Sequence, residues 1–201
     1  MCGRYYVDDE TAREIAKLLR QMEERQRQAS MQAVGRIVAG DIHPGQEAPV
    51  LAEKDGSLCC GWQRWGFPGY EGKKLIFNAR CESALEKPLF RDGIQHRRIV
   101  VPASWFYEWN PRKEKNTFCR NDMPLLFMAG LGRRYEDGEH FVILTTAANA
   151  SMKPVHDRMP LILERQEIAE WIFHDAKTAN ILHKTPYLLE RKTDYEQLSL
   201  F

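Results

Sequence analysis

Polar and apolar positions in the first part of the chain predict a short strand followed by a helix. Residues 3–7 alternate, which indicates a strand, and Asp8 and Asp9 follow as candidate helix N-caps. The stretch 11–28 has apolar side chains at helical spacing and charges on the other face: Ile15, Leu18, Leu19 and Met22. We predict an amphipathic surface helix there, and a loop over residues 34–46, where glycine and proline interrupt the pattern.

From residue 48 onward the pattern changes to short apolar runs bounded by turn residues, which is typical of strands. The predicted strands are residues 49–52, 60–65, 74–80, 98–109, 124–130, 141–146 and 160–163, and the predicted short helices are residues 82–90, 165–173 and 177–183. Many strands with scattered helices predict an α+β fold, with mostly antiparallel sheets curled into a barrel-like core and helices at the periphery. Because no repeat or long linker divides the chain, we predict a single domain over residues 1–201.

Composition narrows the class of protein. The chain has 201 residues, and 29 basic against 28 acidic side chains leave a net charge of +1, which excludes a highly basic nucleic-acid coat. A local basic groove stays compatible with that sum. No apolar run reaches the roughly 18 residues that a membrane span needs, and the first residues lack the apolar stretch of a secretory signal.

Cysteine usage indicates a reducing compartment. Five cysteines are an odd number and do not indicate a disulfide framework, so we expect a cytoplasmic protein. Cys59 and Cys60 are adjacent, and no Cys-x-x-Cys pair or His/Cys cluster occurs at ligand spacing. We therefore expect no metal and no cofactor.

Cys2 is the most unusual residue of the chain. If Met1 is removed, the chain begins with a free α-amine and a thiol on adjacent carbons. Such an aminothiol condenses with an aldehyde to an imine, and the thiolate then attacks the imine carbon to close a thiazolidine ring. The α-amine, with a reference pKa of about 7.7–8.0, is partly neutral and nucleophilic at pH 7. The alternative interpretation is a small apolar residue at a frayed terminus.

Two polar residues interrupt the apolar run 75–80. In a strand, Asn78 and Arg80 point to the same side, where an amide can hold an amine or an oxyanion and a guanidinium can bind a phosphate. The alternative is an asparagine turn beside a solvated arginine.

Glu108 lies in a strongly aromatic stretch, residues 105–109. Strand alternation places it with Ser104 and Phe106, and a carboxylate buried among aromatic rings has a raised pKa, as a general acid or base requires. The alternative is an ion pair with an arginine.

His156 and Arg158 share a face if residues 155–160 are extended, so a titratable imidazole lies beside a phosphate-binding guanidinium. The alternative is a structural histidine that is hydrogen-bonded to Asp157.

Taken in order, these segments resemble the SRAP (SOS response-associated peptidase) family of abasic-site processing proteins. The resemblance covers essentially the whole chain and rests on Met1-Cys2-Gly3-Arg4, Phe77-Asn78-Ala79-Arg80 with Glu82, Pro102-Ala103 with Phe106-Tyr107-Glu108-Trp109, and His156-Asp157-Arg158-Met159-Pro160. Trp65-Gly66-Phe67-Pro68 is similar to the family's Trp-Gly segment.

The resemblance implies a protein that captures abasic sites in single-stranded DNA after removal of Met1. It implies that Cys2 is the nucleophile and forms a thiazolidine with the ring-opened sugar aldehyde. It also implies that Asn78 orients the amine and that Glu108 and His156 form an acid/base pair. Peptidase character follows because exposing Cys2 cleaves a peptide bond, and weak lyase activity follows because an imine at C1′ acidifies the neighbouring proton.

The DNA contacts implied by the resemblance are of two kinds. Three arginines next to the chemical residues bind phosphates, namely Arg4, Arg80 and Arg158. Trp65 and Phe67 stack on bases, or else pack in the core. The family often has glycine at the position of Trp105, so we expect this ring to narrow or reshape the groove near Glu108, which affects substrate fit and not the chemistry.

Two other functions stay open at this stage. One is a hydrolase with an N-terminal nucleophile, in which Cys2 attacks an amide and its own amine acts as base. The other is a non-catalytic binder of single-stranded DNA. Nothing in the sequence requires more than a monomer, and we expect a cytoplasmic protein that is associated with the nucleoid if the source is bacterial.

Overall fold

The computed structural model describes residues 2–19, 24–69 and 74–193, in which fifteen strands and six helices are present. The strands are β1 (Tyr5–Val7), β2 (Gly40–Ile42), β3 (Glu47–Lys54), β4 (Ser57–Trp65), β5 (Phe67–Pro68), β6 (Leu75–Ile76), β7 (Asn78–Arg80), β8 (Arg98–Ala103), β9 (Trp105–Trp109), β10 (Lys115–Cys119), β11 (Leu126–Tyr135), β12 (Gly138–Ala147), β13 (Arg158–Pro160), β14 (Ile162–Leu163) and β15 (Glu190–Thr193). The helices are α1 (Asp9–Leu18), α2 (Glu24–Val34), α3 (Cys81–Ala84), α4 (Pro88–His96), α5 (Glu167–Phe173) and α6 (Asp175–Leu182).

Five strands close into a barrel in the order β12–β4–β3–β8–β11, and β11 then pairs with β12. The β12–β4 pair is parallel and the other four pairs are antiparallel. Closure removes the free strand edges that an open sheet would expose. All six residues of β8 are buried, because its outer side is covered by helices α1, α4 and α5.

A second sheet has the strand order β15–β10–β9–β1–β2. It is joined directly to the barrel, because β9 follows β8 after the single residue Ser104. The Ser104 N–H donates to the Tyr6 carbonyl at 2.9 Å, which fixes β1 beside this crossing point. The N-terminal strand is therefore anchored where the barrel and the second sheet meet.

The segment that precedes β1 continues along β9. Tyr5 lies opposite Phe106 in the antiparallel register of the two strands. One step earlier, the Tyr107 N–H donates to the Arg4 carbonyl at 3.0 Å. This register brings the start of the chain towards Glu108.

A cluster of aromatic rings fills the core at this junction. Trp65 is fully buried, and its ring centroid lies 5.1 Å from Tyr5, 5.9 Å from Phe77 and 6.2 Å from Phe141. Its indole Nε1–H donates to the Phe77 carbonyl at 2.9 Å. A buried indole is normally hydrogen-bonded in this way, and here the bond fixes the backbone directly before Asn78.

The predicted fold class is confirmed: an α+β chain with a closed barrel core and peripheral helices. Four predicted strands coincide with or overlap β3, β4, β11 and β12, namely residues 49–52, 60–65, 124–130 and 141–146. The predicted helices 165–173 and 177–183 correspond to α5 and α6.

The predicted helix over residues 11–28 is corrected to two helices, α1 and α2. Helix α1 starts after Asp8, whose carboxylate accepts from the Thr11 N–H at 3.0 Å while the Thr11 hydroxyl accepts from the Asp8 N–H at 3.1 Å. Met22 lies outside the described residues. The loop predicted for residues 34–46 is wrong in part, because β2 lies within it.

The predicted helix over residues 82–90 is also wrong, because α3 and α4 are separate. Pro88 is in the first turn of α4, where a missing backbone N–H does not break the helix. The runs 74–80 and 98–109 each divide into two strands, and β10 and β15 were not predicted because they are largely polar.

Candidate active site

Cys2 is buried at the start of the described chain, with 1% of its surface exposed, and we call the group of side chains around it the Cys2 pocket. The side-chain amide of Asn78 donates from Nδ2 to the Cys2 carbonyl at 3.0 Å. The Cys2 thiol donates a weaker hydrogen bond, at 3.8 Å, to the Arg4 carbonyl. The structure therefore brings together two residues that are 76 positions apart in the sequence and that were both predicted as site residues.

Strand β7 carries Asn78 into this pocket. Strand β4 pairs with β12 at residues 140–141, and β7 pairs in parallel with the next part of β12, where Asn78 lies opposite Ile143. The Ile143 N–H donates to the Phe77 carbonyl at 3.1 Å, so the backbone around Asn78 is held from both sides. The Asn78 Oδ1 atom is buried and accepts no hydrogen bond from the described residues. This oxygen is an acceptor that a group next to Cys2 can use.

Glu108 reaches the same pocket from β9. The side chain is buried, with 6% of its surface exposed, and Oε1 accepts from the Trp109 N–H at 3.3 Å. Burial and, second to it, the Glu108 carboxylate raise the pKa of the Cys2 thiol to about 12. The carboxylate is thus close enough to act on the thiol electrostatically, and the thiol is protonated at neutral pH.

His156 lies in the loop between β12 and β13 and is half-buried. Its Nδ1 atom accepts from the Arg158 N–H at 2.9 Å and lies 2.8 Å from the Asp157 carboxylate. A neutral imidazole accepts from the N–H, and an imidazolium donates to the carboxylate. The Nδ1 side of the ring is therefore held by its own loop.

Strand β12 connects this loop to Asn78. Its residues 143–145 pair with β7, and its residues 145–147 pair with β13, so both neighbours approach the same end of β12. The Arg158 guanidinium donates to the Thr145 carbonyl at 2.5 Å, which ties the His156 loop to that end.

The three predicted phosphate-binding arginines have different surroundings. Arg158 forms a two-point ion pair with Glu82, at 2.6 and 2.9 Å, and the hydrogen bonds of Arg158 lower the pKa of that carboxyl. Arg80 is exposed and lies near the same carboxylate. Arg4 is half-buried, stacks over the Trp109 ring at 5.1 Å and lies 3.7 Å from Asp41. A phosphate at Arg158 would have to compete with Glu82.

The predicted stacking of Trp65 and Phe67 on bases is corrected by their burial, since both side chains are fully enclosed. Trp65 lies in the aromatic cluster of the barrel, and Phe67 packs against Tyr135 at 5.7 Å and Phe90 at 6.3 Å. Both rings are core residues, which was the alternative that the sequence left open.

Trp105 does not narrow the groove near Glu108. The ring stacks on Tyr6 at 4.2 Å with an angle of 5° between the planes, and these two residues are paired in the β1–β9 register. Because side chains alternate along a strand, Trp105 and Glu108 point to opposite faces of β9. The expected effect on the groove is therefore wrong.

Sequence reasoning missed one residue of the pocket, Tyr5. It is fully buried, and burial and then the Cys2 thiol raise the pKa of its phenol well above the ordinary value. Strand alternation places Tyr5 on the inner face of β1, opposite to Arg4 and Tyr6. The alternating pattern of residues 3–7 could therefore have indicated that Tyr5 is buried.

A cavity of about 1160 Å³ lies elsewhere, between the outer side of β3 and β4 and the ends of α4 and α5. Its walls include Cys60, Trp62, Arg97 and Arg134, and none of the four predicted catalytic residues lines it. Among the described residues no group of three or more His, Cys, Asp or Glu side chains could hold a metal ion. No helix of the described chain is long and apolar enough to cross a membrane.

Comparison with known proteins identifies the class to which this fold and this pocket belong. Residues 1–199 match the family model described as "SOS response associated peptidase (SRAP)", and the chain belongs to that family. It is 31% identical over 180 residues to the abasic site processing protein YedK of Escherichia coli, covering 86% of this chain and 79% of that protein. It is 30% identical over 146 residues to the abasic site processing protein YoaM of Bacillus subtilis, covering 66% of this chain and 64% of that protein.

Solved structures share the fold. A protein from Bacteroides thetaiotaomicron superposes with a TM-score of 0.76 at 21% identity, covering 96% of this chain and 91% of that chain. A phage-related protein from Bordetella bronchiseptica gives a TM-score of 0.74 at 22% identity, covering 97% of this chain and 95% of that chain.

Proposed function

We propose that this protein captures abasic sites in single-stranded DNA by forming a thiazolidine between Cys2 and the sugar aldehyde. The observation that carries the proposal is the hydrogen bond from Asn78 to Cys2 in a buried pocket where Glu108 acts on the Cys2 thiol. The names of the curated relatives, which are abasic site processing proteins, support the same substrate. Met1, whose removal the proposal requires, lies outside the described residues.

The first step exposes the amine of Cys2 by hydrolysis of the bond to Met1, and this is the peptidase character of the proposal. Asn78 then holds the new terminal residue through its carbonyl. The Asn78 Oδ1 atom, which accepts no hydrogen bond from the described residues, is available to an N–H of the freed amine. The side chain would thus fix both the position and the orientation of the nucleophile.

The second step forms the imine. The amine nitrogen attacks C1′ of the ring-opened sugar, and the resulting carbinolamine loses its hydroxyl group as water after receiving one proton. His156 is the proposed donor, because its half-buried imidazole lies in the loop that is tied to the Asn78 end of β12 and an imidazole can transfer a proton.

The third step closes the ring. The Sγ–C1′ bond forms, the electron pair of the C=N bond of the protonated imine moves to nitrogen, which becomes a neutral N–H, and the thiol proton passes to Glu108. A base is needed because a thiol with a pKa of about 12 supplies very little thiolate at neutral pH. If ring closure is slow, loss of the acidified sugar proton leads to β-elimination, which is the lyase activity of the proposal.

Phosphates flanking the lesion are proposed to bind Arg4, Arg80 and Arg158. Arg80 is exposed and Arg4 is half-buried next to the pocket, whereas Arg158 is held by Glu82. A single strand suits this arrangement, because a sugar without a base can turn towards a buried residue only when it is not held in a duplex.

The test is to incubate the protein with a single-stranded oligonucleotide that contains one abasic site. We expect an adduct that survives denaturation, with an intact mass equal to protein without Met1 plus DNA minus one water. Cys2→Ala should form no heat-stable adduct, and Asn78→Ala should form it more slowly. The proposal fails if the wild type forms none, or if Cys2→Ala forms as much. Turnover of an amide substrate without any aldehyde would instead support the N-terminal-nucleophile hydrolase.

A further inference from the structure

The hydroxyl group of Tyr5 is buried and forms no hydrogen bond with the described residues. Buried hydroxyl groups are nearly always hydrogen-bonded, because burying one without a partner is unfavourable. A phenylalanine would give the same ring packing without that cost. Packing of the ring therefore does not explain why residue 5 carries a hydroxyl group.

Tyr5 belongs to the same cluster of buried side chains as Cys2. Its ring centroid is 5.1 Å from that of Trp65, whose indole is hydrogen-bonded to the Phe77 carbonyl. The next residue, Asn78, donates to the Cys2 carbonyl. Burial, and after it the Cys2 thiol, raise the pKa of the Tyr5 phenol, so the phenol keeps its proton at neutral pH and is a donor.

The Cys2 thiol uses a different partner in its protonated form. It donates to the Arg4 carbonyl, with 3.8 Å between sulfur and oxygen. An ionised sulfur has no proton to donate and is repelled by a carbonyl oxygen, so it requires a new donor. The Tyr5 hydroxyl is a donor in the same buried cluster, and it forms no hydrogen bond with the described residues.

We propose that the Tyr5 hydroxyl donates a hydrogen bond to the Cys2 sulfur as the thiol ionises, and thereby favours thiazolidine closure over β-elimination. This inference rests on the proposed function. In the step concerned, the Sγ–C1′ bond forms, the electron pair of the C=N bond of the protonated imine moves to nitrogen, which becomes a neutral N–H, and the thiol proton goes to Glu108. The Tyr5 proton stays on its oxygen throughout.

The proposed hydrogen bond is strongest in the state that reacts. A thiolate is a charged acceptor, whereas the thiol before the step and the thioether after it are weak acceptors. An interaction that strengthens between the ground state and the transition state accelerates the step.

The expected size of the effect follows from two general values. A hydrogen bond to an ionised acceptor lowers the pKa of a group by about one to two units. Because nucleophilicity falls with pKa with a Brønsted coefficient of about 0.4–0.5, losing the bond should slow ring closure about three- to fifteen-fold at neutral pH.

The test compares Tyr5→Phe with wild type and with the matched control Tyr135→Phe. Tyr135 is a partly buried tyrosine that packs against Phe67 and His140, away from Cys2. With abasic single-stranded DNA, we expect Tyr5→Phe to close the ring about three- to fifteen-fold more slowly. More imine should be trapped by cyanoborohydride, and more strand should be cleaved by β-elimination. Tyr135→Phe should match the wild type in the rate of ring closure, the amount of trapped imine and the extent of strand cleavage.

A second measurement needs no DNA. Alkylation of Cys2 by iodoacetamide, followed by peptide mass across pH, should give a thiol pKa about one to two units higher in Tyr5→Phe than in wild type. Thermal unfolding should show Tyr5→Phe to be at least as stable as wild type, since the variant removes an unpartnered buried hydroxyl.

Two outcomes would overturn the inference about Tyr5. One is an unchanged alkylation profile together with unchanged partitioning between ring closure and elimination. The other is a variant that slows imine formation and ring closure equally with no change in the alkylation profile. If the wild type forms no adduct, the proposed function fails, whereas the alkylation profile still decides whether Tyr5 acts on the Cys2 sulfur.

Discussion

At the scale of single residues, the Glu108 charge raises the pKa of the Cys2 thiol, and in the proposed ring closure the same carboxylate accepts the thiol proton. One substitution separates these two effects. The Glu108→Gln variant keeps the size of the side chain and removes its negative charge. Because that charge adds to burial in raising the pKa of the Cys2 thiol, the variant should have a lower thiol pKa. Alkylation of Cys2 by iodoacetamide at neutral pH should therefore become faster.

Cross-linking should change in the opposite direction. Without the carboxylate the thiol proton has no acceptor in the proposed ring closure, and loss of a general base typically costs about 10²- to 10⁴-fold in rate. Gel-based rates of adduct formation with abasic single-stranded DNA measure this effect. Glu114→Gln, in the turn between β9 and β10, is the matched control and should leave both rates unchanged. Parallel decreases in alkylation and cross-linking would contradict the proposed role of Glu108.

The site could be predicted from sequence where strand alternation and chemistry agree. Asn78 and Glu108 were chosen because each is a polar residue in an apolar strand, and both reach the Cys2 pocket. For Trp65 and Phe67 the resemblance left base stacking and core packing open, because a sequence does not show which aromatic side chains the fold encloses, and both are fully buried. Tyr5 was missed because a buried tyrosine in a sequence does not reveal whether its hydroxyl has a partner.

At the scale of elements, helix α3 and strand β13 are joined by the ion pair between Glu82 and Arg158. The pair lies beside the exposed Arg80. The hydrogen bonds from Arg158 and, to a smaller extent, the charge of Arg80 lower the pKa of the Glu82 carboxyl. In the proposed function a DNA phosphate would approach these same arginines. Glu82 is then a competitor for Arg158 and a source of repulsion towards the DNA backbone.

We expect Glu82→Gln to bind single-stranded DNA more tightly and to show a steeper salt dependence. If one more arginine contacts a phosphate, the slope of log K against log salt should become more negative by about 0.7 for a single strand. Fluorescence anisotropy over a salt series measures both quantities. Asp122→Asn removes a carboxylate from another arginine pair, that of Arg120, and serves as control. Weaker binding of Glu82→Gln would indicate that Glu82 positions Arg158 rather than competing for it.

The elements themselves were predictable to different degrees. Apolar runs located β3, β4, β11 and β12. The runs are clearest where consecutive residues are buried, in the middle of β3 and over most of β11 and β12, whereas β4 is mostly half-buried. Strands β10 and β15 are largely polar and carry no apolar signal, and the pairing of β15 with β10 joins parts of the chain that are distant in the sequence. The parallel pairing of β7 with β12, which places Asn78 in the site, has no local signal at all.

At the scale of the whole molecule, the proposed site draws on four distant parts of the chain around the closed barrel. The segment before β1 supplies Cys2, β7 supplies Asn78, β9 supplies Glu108 and the loop after β12 supplies His156. Asn78 and Glu108 are held by strand pairing with β12 and β10, and Cys2 is held by the Asn78 side chain. The geometry of the pocket therefore depends on the folded state as a whole, and conditions that weaken folding should also weaken the chemistry.

Alkaline pH is such a condition, because three thiols are buried in different parts of the fold. Burial raises the pKa of Cys2, Cys60 and Cys81 from 9.0 to about 12 in each case. Between these values the unfolded chain releases protons that the folded chain keeps, so stability falls as pH rises above about 9. Below about pH 9 these thiols are protonated in both states and contribute no pH dependence.

Each thiol should reduce the free energy of unfolding by about 1.4 kcal/mol per pH unit in this window, which is about 4 kcal/mol per unit for all three. Urea unfolding at about pH 8, 9.5 and 10.5 measures the slope. Cys60→Ala removes one thiol that lies outside the proposed site, and its slope should be smaller by about one third. A stability that stays constant from about pH 8 to 10.5, or a slope that Cys60→Ala leaves unchanged, would show that these thiols do not resist ionisation in the folded protein.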